Sequence, residues 1–161
     1  METNKKGIEK LQSEFRDLRK NGLSGIGGSA GIVNKNYLHW KACFIGPANT
    51  PYNGGLYYIE IICDENYPES VPDVRFKTKV WHPNISVDGA ICIEYLNHWN
   101  KTNDIRGIVT TLFDLLANPN FDSPLNSQTT ENYKMKPDFE KIAKEYNSKY
   151  AGQNQEITWK K

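Results

Sequence analysis

At 161 residues the chain is long enough for one domain, which at this size buries roughly two-thirds of its unfolded surface without metal or disulfide staples. Its 20 Lys and Arg against 19 Asp and Glu give a net charge of +1. No basic tract stands out, so a nucleic-acid partner has no electrostatic footprint. There is no run of 18 apolar residues to span a membrane, and the segment Met1–Lys6 lacks the apolar stretch of a secretory signal. Cys43, Cys63 and Cys92 are odd in number and far apart, which predicts reduced thiols and a cytoplasmic or nuclear location.

In chain order, Ile8, Leu11, Phe15 and Leu18 recur at helical spacing and predict an amphipathic helix over 4–20. Glycines between 22 and 28 end it. Residues 31–35, 38–45, 56–62 and 73–78 are rich in Ile, Val, Tyr and Phe and predict four strands. The connections between them are too short for βαβ crossovers, so an antiparallel meander is expected. From about 80 to 101, Pro, Gly, Asn and Asp interrupt every apolar run, which predicts a long irregular loop, a kind of segment that is often functional. Ile105, Ile108, Val109, Leu112, Leu115 and Leu116 form a helical stripe ending before Pro119. A short helix near 127–135 and a last one over 137–150, with Pro137 at its first position, complete the series. The expected class is α+β: an N-terminal helix, a four-stranded antiparallel meander, a long loop and C-terminal helices. Residues 1–151 form the domain, and 152–161 read as a short polar tail.

The chemistry concentrates in the irregular loop. His82-Pro83-Asn84 is followed, eight residues after the asparagine, by Cys92 within Gly89-Ala90-Ile91-Cys92-Ile93. This arrangement resembles the active-site segment of ubiquitin-conjugating enzymes. Trp40-Lys41-Ala42, Gly46-Pro47, Thr50–Gly55, Tyr67-Pro68, Pro72–Phe76 and Pro119–Asn126 are similar to further segments of that family, in the family's order. The likeness covers roughly residues 6–151. A single such motif is weak, but this ordered set over one chain is specific.

The resemblance implies an acyltransferase. An activating enzyme passes ubiquitin to Cys92 as a thioester, and a substrate lysine, presented by a ubiquitin ligase, attacks it. No metal or organic cofactor is implied, since ATP is consumed by the activating enzyme. A cysteine of ordinary pKa, about 8.5, is a few per cent thiolate at neutral pH, which suffices for an activated thioester. A free lysine is only about 0.04% neutral at pH 7, so the second step needs desolvation of the amine or a group to take its proton. The family positions that match are Glu94 and Ser123, where many relatives carry Asp. Asn84 matches the family's donor to the oxyanion, a role worth about 2.7–4 kcal/mol in other acyl transfers. A brace for the Cys92 loop is its rival role. His82 and Pro83 match residues that hold the turn. The ligase surface implied is Tyr67, Pro68, Glu69 and Trp99. Glu69 stands where many relatives have an aromatic residue, and Trp99 lies one residue closer to the cysteine than usual. The activating enzyme would dock on Lys5, Lys6, Lys10 and Arg16 of the first helix. The implied protein acts as a monomer.

Plainer readings stand beside these. Cys43 and Cys63 sit in strand-like runs and read as small hydrophobes. Zinc binding by Cys92 with His82 and His98 lacks a CxxC or HxxxH pair. The glycines at 25–28 precede no Lys-Ser or Lys-Thr, so they form no phosphate loop. Trp40, Trp81, Tyr57 and Tyr58 read as packing residues. A cysteine protease is disfavoured because no protease motif accompanies the thiol. Two alternatives to the main reading remain: a conjugating enzyme for another ubiquitin-like modifier, and a non-catalytic ubiquitin- or ligase-binding module of the same fold. Ser29-Ala30-Gly31 resembles the sheet segment that binds a second ubiquitin non-covalently in some relatives.

Overall fold

A computed structural model describes residues 2–23, 25–121 and 136–160. Four helices and four strands are described. They are α1 (Glu2–Asn21), β1 (Ser29–Val33), β2 (Asn36–Ile45), β3 (Leu56–Ile62), β4 (Asp73–Phe76), α2 (Glu94–Asn97), α3 (Ile105–Ala117) and α4 (Lys136–Tyr150). The strands form one antiparallel sheet in the order β1-β2-β3-β4, the meander expected from the short connections. The short helix expected near 127–135 lies outside the described residues.

Alternation along the strands divides the sheet cleanly. Trp40, Ala42 and Phe44 of β2, Tyr57, Ile59 and Ile61 of β3, and Val74 and Phe76 of β4 point to one face and are buried. Leu11 and Leu18 of α1, with the apolar stripe of α3, cover that face. Phe113 of α3 meets Phe44 edge-on at 5.7 Å between ring centroids. Each fully buried apolar side chain of this size contributes about 1.5–3 kcal/mol, so the layer of α1 and α3 on this face is a major source of stability. Asp104 caps α3 by accepting from the Gly107 N–H at 2.8 Å.

Three local expectations need correction. The first strand ends at Val33 rather than 35, because Asn34 and Lys35 both take positive φ (52° and 61°) and form a two-residue hairpin turn. That turn matches the right-handed twist of the flanking strands, and Asn tolerates it better than most residues. The fourth strand ends at Phe76, and the irregular stretch from 80 to 101 contains the single helical turn α2. The polar tail packs on the sheet. Gln155 donates to the Leu56 carbonyl at 2.9 Å, Thr78 Oγ1 donates to Gln155 Oε1 at 2.6 Å, and Trp159 lies edge-on to Tyr58. The Lys160 N–H reaches Glu60 Oε2 at 2.6 Å. Glu60 is a buried carboxylate on the outer sheet face, also bonded to the His39 ring at 2.8 Å and near Lys77. Burial alone would raise its pKa, but the Lys160 N–H, the His39 ring and the Lys77 ammonium outweigh burial and hold it below the usual value.

The loop after β4 is fastened to α3 by His82, which is fully buried. Its Nδ1 accepts from the Asn84 N–H at 3.0 Å, so the ring proton sits on Nε2, 2.8 Å from the Leu115 carbonyl. Burial depresses its pKa from 6.5 to about 4, outweighing the Leu115 carbonyl, which favours the charged ring. Between those pH values the unfolded chain binds a proton that the folded chain refuses. Stability therefore falls as pH drops from 6.5 to 4, by about 3 kcal/mol from this residue. His82→Gln should be less stable at pH 7 but lose this slope. Denaturant unfolding at a series of pH values checks it; equal slopes for the two proteins between pH 6.5 and 4.5 would refute the assignment.

Candidate active site

Residues 84–92 fold back on themselves as a small irregular hairpin. Gly89 makes the bend possible. Its φ is +90°, and a Cβ there would lie 2.1 Å from the Phe76 carbonyl oxygen, while its own carbonyl accepts from the Phe76 N–H at 3.0 Å. The bend is stiffened by Ser86, whose Oγ bonds the Asp88 carboxylate and accepts from the Ala90 N–H. The Ser86 bond holds the exposed Asp88 carboxyl below its ordinary pKa. Ile85 is fully buried beneath the hairpin, and Ile93 is buried immediately after Cys92.

Cys92 sits half-buried on the returning arm. Its N–H donates to the Asn84 carbonyl at 3.0 Å. Asn84 is itself buried, with its side chain turned the other way. The amide Nδ2 donates to the Asn120 carbonyl at 2.7 Å, and Oδ1 accepts from the Asn120 N–H at 2.8 Å. One residue thus clamps the Cys92 arm to the segment following α3. Pro83 is buried behind it. Tyr52 supports the same turn by donating to the Trp81 carbonyl at 2.6 Å, and burial pushes its pKa well above the ordinary tyrosine value. His82 has both ring nitrogens committed to protein partners, which removes it from any metal set with Cys92 and His98.

The remaining site residues spread around this loop. Glu94 is exposed at the start of α2, two residues from Cys92. Ser123 lies outside the described residues, as do 122–126 of the Pro119–Asn126 segment. Asn97, which sequence reasoning passed over, ends α2 and directs its side-chain amide at Cys92 Sγ, 3.6 Å away. A shortened approach from cysteine to tryptophan was visible in the sequence; that it returned an amide to the sulfur was not.

The other two thiols sit elsewhere. Cys63 is buried at the end of β3, and burial, with Glu14 and Asp64 nearby, pushes its thiol far above the usual range. Cys43 points to the outer sheet face, 3.6 Å from Ser29 Oγ.

Tyr67, Pro68 and Trp99 form one cluster, with Tyr67 beneath the surface that the other two partly expose. The Trp99 indole N–H donates to the Pro68 carbonyl at 2.8 Å, and its ring packs on Tyr67 and Tyr95. Glu69 and Val71 are exposed in the same loop. Tyr67 is buried and donates to Glu14 Oε2 at 2.7 Å, while Glu14 Oε1 accepts from the first N–H of α3. Lys10 also belongs to this cluster. It pairs with Glu14 at 2.9 Å, donates to the Asn103 carbonyl and lies 5.1 Å over the Tyr67 ring. Lys5, Lys6 and Arg16 of α1 are exposed instead.

Comparison with known proteins gives the same answer from independent material. The family model described as ubiquitin-conjugating enzyme matches residues 10–147. The chain is 35% identical over 142 residues to ubiquitin-conjugating enzyme E2 3 of Arabidopsis thaliana, covering 88% of this chain and 89% of that protein. It is 37% identical over 145 residues to ubiquitin conjugating enzyme E2 B of Dictyostelium discoideum, covering 89% of this chain and 97% of that one. The solved E2 domain of a Toxoplasma gondii ubiquitin conjugating enzyme superposes with a TM-score of 0.82 at 32% identity, over 89% of this chain and 98% of that one. With a helix, a four-stranded meander and a buttressed Cys92 hairpin inside a match that spans most of its length, the chain belongs to the ubiquitin-conjugating enzyme family.

Proposed function

We propose that Cys92 carries ubiquitin as a thioester and surrenders it to a lysine amine. The observation that carries this reading is the contrast among the three thiols. Cys63 is sealed in the core and Cys43 lies on the outer sheet face. Cys92 is held partly open on a loop whose position the Asn84 hydrogen bonds fix. A thiolate there attacks the thioester delivered by the activating enzyme, whose own thiolate departs. The lysine amine then attacks the new thioester and expels the Cys92 thiolate. Glu94, exposed two residues away, is the proposed acceptor of the amine proton. Ser123 keeps the same proposed part on the strength of the resemblance.

For Asn84 the geometry favours the brace over the oxyanion donor, because its amide already holds both backbone polar groups of Asn120. The ligase is proposed to contact Pro68, Glu69 and Trp99, with Tyr67 supporting the loop from beneath. The activating enzyme is proposed to meet the exposed Lys5, Lys6 and Arg16. Lys10 contributes to that face through its packing as much as through its charge.

Incubated with activating enzyme, ATP and ubiquitin, wild-type protein should form a reductant-sensitive adduct. Cys92→Ser should form one that survives reductant but not hydroxide, and Cys92→Ala none. Adduct formation by Cys92→Ala at the wild-type level would overturn the assignment. Asn84→Ala removes the buried hydrogen bonds to Asn120, each worth about 0.5–1.5 kcal/mol, and should lower the melting temperature by roughly 5 °C. Its loading and its discharge to free lysine should slow together in single-turnover assays. Slow discharge with normal loading and normal melting would return Asn84 to the oxyanion role. At the ligase surface, an aromatic anchor is often a hot spot worth about 2 kcal/mol or more. Glu69→Phe should therefore raise discharge stimulated by ligases that favour aromatic-bearing relatives, by up to about thirtyfold in affinity. A wild-type response already equal to that of such relatives would refute this reading of the loop.

A further inference from the structure

Thioester chemistry at Cys92 asks the protein for two things at sulfur. The thiolate must be populated before it attacks, and it must be stabilised again when it leaves. A neutral hydrogen-bond donor on Sγ serves both, since it favours the charged form of the sulfur over the thiol. The Asn84 amide does not serve this purpose, because it is turned toward Asn120.

The side-chain amide that does reach the sulfur belongs to Asn97. Its Nδ2 lies 3.6 Å from Cys92 Sγ, a hydrogen-bonding distance for the larger sulfur atom. The placement follows from local structure. Ile93 is buried and anchors the start of α2, and the Asn97 N–H closes the single turn on the Ile93 carbonyl at 3.0 Å. Two residues further on, Trp99 is tied to the Pro68 carbonyl and packed between Tyr67 and Tyr95. The segment between these two anchors is short enough that one helical turn carries Asn97 back over the cysteine. Because α2 and the Trp99 anchor fix the backbone, the amide is held near the sulfur at little further entropic cost.

We propose that Asn97 is a catalytic residue whose amide N–H stabilises the Cys92 thiolate in both half-reactions. This rests on Cys92 as the carrier. In loading, the Cys92 proton passes to solvent, the sulfur's electron pair forms the new C–S bond, and the activating enzyme's C–S bond breaks with its pair leaving on that enzyme's sulfur. In discharge, the amine nitrogen forms the C–N bond and loses a proton to a nearby base. The Cys92 C–S bond breaks, and its pair returns to a sulfur that again accepts from Asn97. The same amide therefore acts on a nucleophile in one direction and on a leaving group in the other.

The test uses Asn97→Ala and Asn97→Asp in a Cys43→Ser background, so that Cys92 is the accessible thiol. The rate of alkylation by iodoacetamide is followed from pH 6 to 10, beside single-turnover loading, discharge to free lysine and thermal melting. Losing one hydrogen bond to a charged sulfur should slow alkylation at pH 7 about three- to tenfold. The gap should close toward pH 10. Asn97→Asp, which replaces the donor with a negative charge, should be slower still at pH 7. Loading and discharge should fall by similar factors. Melting should stay put, because the Asn97 side chain is exposed. Alkylation profiles identical to the parent protein in both variants would overturn the proposal, as would a parallel loss at every pH. Alkylation needs no ubiquitin, so failure of the carrier reading would show separately: the profile would shift while no variant, nor the parent, formed an adduct.

Discussion

The Cys92 end of the molecule depends on backbone groups that no strand or helix satisfies. Between Phe76 and Glu94 the chain has only isolated bridges, yet residues 80–85 are buried without a break. An unpaired buried amide or carbonyl costs about 1–3 kcal/mol, so such a loop folds only if side chains take the place of a ladder. His82 and Asn84 do this. One joins the loop to the Leu115 carbonyl at the end of α3, the other joins it to Asn120 just beyond. Both meet the same stretch of chain, so the hairpin is fixed in orientation as well as position. A neutral His82 is essential to the arrangement. A proton on Nδ1 would face the Asn84 N–H and break the link between the two.

A second organising group is Glu14. A single carboxylate receives the Tyr67 hydroxyl, the Lys10 ammonium and the first N–H of α3. It thereby joins the first helix, the 67–72 loop and the third helix at one point. The helix comes close enough because Gly7 has no side chain; a Cβ there would stand 2.4 Å from the Tyr67 carbonyl oxygen. Lys10 illustrates what this means for surface charge. Counted along the sequence it is one cation among several on α1, whereas in the fold its charge is largely spent on Glu14 and the Tyr67 ring.

The long-period features were legible in the sequence, and the reasons are physical. The stripe Ile105–Leu116 and the alternation in β2 and β3 each bury one face, and burial writes a period into the chain. The Asn34-Lys35 turn was missed because Lys is an uncommon residue at positive φ, so nothing flagged the second turn position. The turn α2 escaped because four residues, none of them buried, carry no period at all. At the site, Cys92, His82 and Asn84 stood out through the resemblance of their segment to the family's. The direction of the Asn84 amide did not, since side-chain aim is decided by what lies opposite, here Asn120, thirty-six residues away.

The outer face of the sheet carries a different lesson. The family match ends at residue 147, yet the contacts that complete Glu60, Tyr58 and Thr78 come from residues 155–160. Sequence kinship and mechanical integrity thus have different borders in this chain. A cut placed at the first would leave a buried carboxylate with one donor fewer and a tyrosine face newly wet. The closing residues behave as a side-chain splint laid across β3, and what the protein owes to them is repaid in electrostatics rather than in ladder hydrogen bonds.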